Sequence, residues 1–225
     1  MRRDAAGRAR LSGRATIPGE RYMGRLLGRL GLSQGRGLKA LDAGCGDGLV
    51  SAWLAAHGWN VRAEDREAHP AWPGLAKAAR GRLAFARRDA GEKGGGAFDL
   101  VLTKDMLHHA DDPSAALLAL KSRVKPGGRL AVVECNRLNP IFYVHLTLME
   151  GHQHFTRSRL LGLLAGAGLD KVRLELIEAR VWPLGGPFWQ NVFDRLQDLA
   201  EALPPWRPFI CYHAATWTRP KEKGA

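Results

Sequence analysis

The run Leu38-Lys39-Ala40-Leu41-Asp42 passes through Ala43 into Gly44-Cys45-Gly46-Asp47-Gly48 and then into Leu49-Val50-Ser51-Ala52-Trp53-Leu54. This is a short apolar strand, a glycine turn and a helix start. Glycines at such a turn let the main chain bend tightly and approach a ligand that a Cβ would hold off. A strand–turn–helix unit of this kind belongs to a parallel α/β sheet when further strands follow at crossover spacing.

Further strands do follow. Short apolar runs at 60–63, 83–86, 98–103 and 129–134 alternate with helical patterns at 48–56, 74–80 and 112–124. Asp112-Pro113 supplies a cap and a first-turn proline for the last of these helices, and Pro126-Gly127-Gly128 marks its end. An apolar helix at 20–30 precedes the set. Beyond it come a short lid helix at 139–150, a helix capped by Phe155-Thr156 and ending at Gly166-Ala167-Gly168, and strands at 172–179 and 209–218 separated by a helical insertion at 188–203. The domain expected is 19–220, with lid-like insertions at about 138–154 and 182–208, behind a basic arm at 1–18 that lacks apolar periodicity.

The spacing of the glycines separates two ligand classes. A dinucleotide turn requires Gly-x-Gly-x-x-Gly with a pyrophosphate on the helix N-terminus. Here the third glycine is Gly48, one residue early, Leu49 stands where that pattern needs glycine, and the acidic Asp47 occupies the place of the phosphate. A ligand carrying an ammonium group suits the loop better. Glu64 and Asp65 close the second strand about twenty residues on, the distance at which an acid reaches ribose hydroxyls. Asp89 follows the third strand, where it either accepts from an exocyclic amine or closes an ordinary turn.

Composition bears on partners. The 225 residues carry 34 Lys and Arg against 22 Asp and Glu, a formal charge of +12. That balance fits either a polyanion-binding surface or an arginine-rich coding bias, and no basic motif interleaved with aromatics accompanies it. Cys45, Cys135 and Cys211 lie far apart with no Cys-x-x-Cys pair, which argues against a disulfide framework or zinc site. No apolar run reaches membrane-span length and no signal peptide is evident, so a cytoplasmic protein is expected.

The sequence resembles the class I S-adenosylmethionine-dependent methyltransferases, in particular the small-molecule branch of the ubiquinone and menaquinone biosynthesis type. Three motifs carry the resemblance in order: Leu41 to Gly48, Phe98-Asp99-Leu100-Val101-Leu102 to Leu107-His108-His109, and Val124-Lys125-Pro126-Gly127-Gly128-Arg129-Leu130. It implies a Rossmann-like, doubly wound seven-stranded sheet with an antiparallel last strand and helices on both faces. It also implies S-adenosylmethionine as cofactor, with the loop of Gly44, Cys45, Gly46 and Gly48 against the methionine part and Asp42 supporting the loop and the cofactor amino group. The ribose falls to Asp65 or Glu64, which occupies the usual apolar position before the acid. Asp89 and Ala90 would meet the adenine, and Thr103 and Lys104 the methyl side.

Methyl transfer from a sulfonium is an in-line displacement in which positioning supplies much of the rate, and a base is needed only when the acceptor loses a proton. His108, His109 and His154 are the candidates, with His145 and His152 nearby; each also has a structural reading. The His152-x-His154 pair lacks a carboxylate or cysteine at ligand spacing, so no metal is expected. Tyr22, Phe142, Tyr143, His154, Trp182, Phe188 and Trp189 lie on segments that could line an acceptor pocket for a flat or apolar molecule. The chain has no Asn/Asp-Pro-Pro-aromatic run and no Pro-Cys dipeptide, signatures of base methylation. A small-molecule acceptor is therefore expected, against two rivals: a tRNA or rRNA methyltransferase using the basic arm, and a non-catalytic S-adenosylmethionine-binding partner subunit.

Overall fold

The computed structural model describes residues 20–92, 96–140, 154–177 and 187–221, together with Tyr143, Val144 and Leu148. The basic arm, most of the proposed lid at 138–154 and the start of the second insertion lie outside the described residues.

The first half of the chain forms α1 (Glu20–Arg29), β1 (Lys39–Ala43), α2 (Leu49–Ala56), β2 (Asn60–Asp65), α3 (Trp72–Ala78), β3 (Leu83–Arg87) and β4 (Phe98–Lys104). The second half forms α4 (Pro113–Ser122), β5 (Val124–Cys135), α5 (Arg157–Gly166), β6 (Arg173–Ile177), α6 (Pro187–Ala202) and β7 (Tyr212–Thr218). The strands make one sheet in the order β3-β2-β1-β4-β5-β7-β6, with β7 antiparallel to both its neighbours. This is the Rossmann-like, doubly wound arrangement with an antiparallel last strand.

The central strands are buried on both faces, which is why they read as nearly continuous apolar runs. Ala40, Leu100, Leu102, Ala131 and Val133 pack with α1 and α2, whereas Leu41, Val101, Leu130 and Val132 pack with α4 and α5. Asp112 caps α4 by accepting from Ser114 and Ala115 N–H, with Pro113 in the first turn; Thr156 caps α5 through Arg159 N–H. No helix among the described residues is long and apolar enough to cross a membrane.

Two boundaries differ from the sequence pattern. Val124 belongs to β5 and not to the preceding helix, because it pairs with Phe98 before the register jumps to Arg129 opposite Leu100. Pro126-Gly127-Gly128 is thus a bulge within the strand, with Gly127 at φ 76° and a Cβ on Gly128 only 2.8 Å from the Phe98 carbonyl. The last strand begins at Tyr212, since Pro204–Phe209 forms a 3-10 turn.

Candidate functional site

Between β1 and β4 the strand order reverses, and a doubly wound sheet opens a crevice at the carboxyl ends of the strands there. A cleft of about 480 Å³ occupies this position. The loop after β1 supplies Gly44 and Gly46, the end of β2 supplies Asp65, the loop after β3 supplies Asp89 and Ala90, and the segment after β4 supplies Asp105, Met106 and His109.

The glycines differ in what they do. Gly44 sits at φ 72° with its missing Cβ 2.3 Å from Met106 Cγ, so a side chain there would displace Met106 from the cleft wall. Gly46, at φ 51°, has nothing within 4 Å of its Cβ position, and its N–H donates to Asp65 Oδ2 at 2.8 Å. Gly48 is not on the cleft: its Cα packs on Phe85, which a Cβ would meet at 2.7 Å. Cys45 is likewise buried behind the loop. Asp47 Oδ1 accepts from Leu49 N–H at 3.1 Å, occupying a donor at the start of α2 that a phosphate would need.

Asp65 and Glu64 are separated by strand alternation. Asp65 faces the cleft, while Glu64 is 2% exposed and turned to the opposite side, where Arg123 grips it through two bonds of 2.5 and 3.0 Å. The expectation that Glu64 could bind ribose is therefore corrected. Its carbonyl oxygen still holds the loop, accepting from Gly44 and Cys45 N–H at 2.8 and 3.1 Å. Asp89 closes a turn onto Gly91 N–H at 2.7 Å and keeps its carboxylate at the cleft, 3.7 Å from Arg66.

Asp42 is buried beneath the loop and accepts from Ser51 Oγ at 2.5 Å. Burial pushes its carboxyl up to about 6, against the pull of the Ser51 bond. Folding thus favours the protonated acid, and stability falls as pH rises between the unfolded value of 3.8 and about 6, a linkage of about 3 kcal/mol when complete. Asp42→Asn removes this penalty. The melting temperature of the variant relative to the wild type is expected to climb from about pH 4 to about pH 6 and to level off above that, and a difference independent of pH would contradict the assignment.

Of the three sequence-selected histidines, only His109 lines the cleft. The His108 side chain is buried, its Nδ1 2.7 Å from Glu134 Oε2, and the same carboxylate accepts from Met106 and Leu107 N–H. His154 is 1% exposed and packs on the His108 ring with centroids 4.3 Å apart. Catalytic placement of His108 and His154 is corrected on that ground: both support the segment that carries His109.

Asp105 is the residue that pattern reading missed. It lies just past β4 at φ 52°, lines the cleft, and is held by the Lys104 ammonium, by Cys135 Sγ donating at 3.0 Å and by Tyr212 OH donating at 3.3 Å. Burial works to raise its carboxyl, but the adjacent Lys104 charge together with the hydrogen bonds from Lys104 and Cys135 outweighs it and holds the acid below the usual range. The rule that selected Asp65 and Asp89, an acid just beyond a parallel strand, would have found it. Thr103 and Lys104 do not line the cleft; Thr103 is buried and Lys104 acts through Asp105. Tyr22 of α1 stands behind Asp105 with its ring 6.0 Å from that of Tyr212. Burial raises both phenols, so they remain protonated donors at neutral pH. Tyr143 is 40% exposed and does not line this cleft, and the Trp189 side chain lies outside the described residues.

A family profile described as "Methyltransferase domain" matches residues 16–174. Among curated proteins, the ubiquinone biosynthesis O-methyltransferase of Xanthomonas axonopodis pv. citri is 33% identical over 156 residues, covering 60% of this chain and 63% of that protein. The chain thus spans less than two thirds of that relative's length. Among solved structures, phosphoethanolamine N-methyltransferase 2 of Haemonchus contortus in complex with S-adenosyl-L-methionine superposes with a TM-score of 0.66 at 16% identity, covering 89% of this chain and 53% of that one. A SAM-dependent methyltransferase from Archaeoglobus fulgidus gives a TM-score of 0.63 at 17% identity over 89% and 94% of the two chains. At those identities the likeness is one of fold.

Proposed function

The chain belongs to the methyltransferase domain family, and from that premise we propose that it transfers the methyl group of S-adenosylmethionine to a small apolar or aromatic acceptor. The observation that carries the reading is the cleft in which Gly46, open above its Cα, faces Asp65, Asp89 and Asp105. The donor set fits this group: a carboxylate-lined pocket with the start of α2 already occupied by Asp47 favours a cationic ligand over a diphosphate.

In this reading Asp65 accepts from the ribose hydroxyls and Asp89 with Ala90 lies at the adenine. Asp42 and the loop of Gly44 and Gly46 hold the methionine part. When bound, the group supplies an electrophilic methyl on a sulfonium. Asp105, kept ionised by Lys104, accepts a hydrogen bond from the acceptor or from the ligand ammonium, and His109 is the base wherever the acceptor loses a proton. The names of the curated relatives, ubiquinone biosynthesis and O-methylation, support an acceptor of that apolar, hydroxylated kind. Three cysteines in no disulfide fit a reducing compartment, the cytoplasm.

Calorimetry with S-adenosylmethionine, followed by incubation of cell extract with the methyl-labelled compound, tests the proposal. One-to-one binding and label in the small-metabolite fraction are expected. Tighter binding of NAD, label in RNA, or binding without turnover on any extract would each overturn it.

A further inference from the structure

A second cleft, of about 510 Å³, lies at the outer edge of the sheet around β6 and β7 and shares no lining residue with the first. His213 of β7 forms part of its wall. His213 is 2% exposed, and neither of its buried ring nitrogens has a hydrogen-bond partner among the described residues. A neutral imidazole carries one donor and one acceptor, and leaving such a group unpaired inside a protein forfeits its hydration with nothing in return. A polar ring sealed from water at the wall of a cavity is explained by a ligand that completes it.

The surrounding charges define that ligand. Arg157, the first residue of the ten-residue α5, and Arg207 of the 3-10 turn both line the cleft, and neither has an acidic partner among the described residues. The N-terminal end of α5 adds positive potential on the same side. Arg29 also contributes, but Glu175 and Glu201 engage it. The carboxylate opposite His213 in the β5–β7 register is Glu134, which is committed to His108 and to two backbone N–H groups; Leu176 faces His213 from β6. Two unbalanced guanidinium groups share the cleft with a buried imidazole, and guanidinium forks match tetrahedral oxyanions in geometry and charge.

We propose that this cleft is a binding site for a phosphate group, gripped by Arg157 and Arg207 with the His213 ring donating from beneath. The site is separate from the methyl-transfer cleft and does not rest on that reading. Burial together with the nearby Arg157 charge holds the empty ring neutral, with its pKa lowered to about 4. A bound phosphate anion opposes the Arg157 effect.

The test follows the His213 ring by NMR, with His213→Gln used to identify its resonance, during titration with inorganic phosphate and with phenyl phosphate at constant ionic strength. Phosphate is expected to raise the His213 midpoint by about one unit, equivalent to tenfold tighter binding to the protonated ring. Arg157→Ala/Arg207→Ala, both on exposed side chains, should weaken phosphate at least tenfold while leaving S-adenosylhomocysteine binding unchanged. Tighter binding of the inorganic ion points to free phosphate, and tighter binding of phenyl phosphate points to a phosphoryl group carried on a larger molecule. A His213 midpoint that neither compound moves, or that moves equally in the double variant, overturns the site.

Discussion

Arg123→Met is expected to destabilise the protein by about 3 kcal/mol, toward the lower end of what breaking a buried ion pair costs. Arg123 and Glu64 are 1% and 2% exposed, their two bonds measure 2.5 and 3.0 Å, and the guanidinium lies over the Phe98 ring at 5.3 Å. Methionine fills much of the volume but leaves a buried carboxylate whose remaining ion pair among the described residues is to Arg62, itself 45% exposed, with Arg88 acting at longer range. That residual partner keeps the loss from being larger. Urea denaturation should therefore give a lower midpoint at unchanged slope. The pH dependence has a definite sign. Arg123 holds Glu64 below the ordinary carboxylate range against the opposing effect of burial, so the stability it confers is present above that range and is lost as pH falls through the native pKa. The deficit of the variant should narrow in acid, where Glu64 takes up a proton in its place. Glu64→Leu/Arg123→Met should recover most of the loss, because no charge is then stranded. A double variant no more stable than the single one would show that the pair is not what Arg123 contributes.

That ion pair also marks where sequence reasoning stops. The glycine loop, the order of strand and helix, and the acid at the end of β2 were legible because each depends on neighbours a few residues away: period-two burial, turn glycines, a cap and a proline. Glu64 and Asp65 were not separable, since alternation says that adjacent residues face opposite sides without saying which side holds the cleft. The partner that decides the matter, Arg123, is 59 residues away and is brought near only by the completed sheet. The bulge in β5 was misread for the same reason, because Val124 becomes strand by pairing with Phe98. His108 and His154 looked reactive by residue type, and only their burial against Glu134 and each other removes them from the cleft. Asp105 obeys the strand-end rule that marks Asp65 and Asp89, and its role depends on Lys104, Cys135 and Tyr212, of which the last two come from distant strands.

Asp65→Ala is expected to weaken binding of S-adenosylhomocysteine by about 100- to 1000-fold, the second large effect. Hydrogen bonds to an ionised acceptor contribute about 1.5–3 kcal/mol each, and a vicinal diol offers two, so in the lower part of that range about 3–4 kcal/mol is at stake. Asp65 has a further role that an isolated ribose ligand would lack. Its Oδ2 accepts from Gly46 N–H at 2.8 Å and its Oδ1 from Glu67 N–H at 3.2 Å, so one carboxylate fixes both the loop above Asp42 and the turn after β2. Alanine removes the acceptor and the loop tether together. Asparagine keeps an oxygen for Gly46 but loses the charge, so Asp65→Asn should fall between, about tenfold weaker than the wild type. The two substitutions thus divide tether from charge. Equal losses in both would assign the effect to the carboxylate charge, and a near-normal asparagine variant would assign it to the tether. Calorimetric affinities within about threefold of the wild type for the alanine variant, with melting temperature unchanged, would remove Asp65 from the ligand and with it the cleft as the site of methyl transfer.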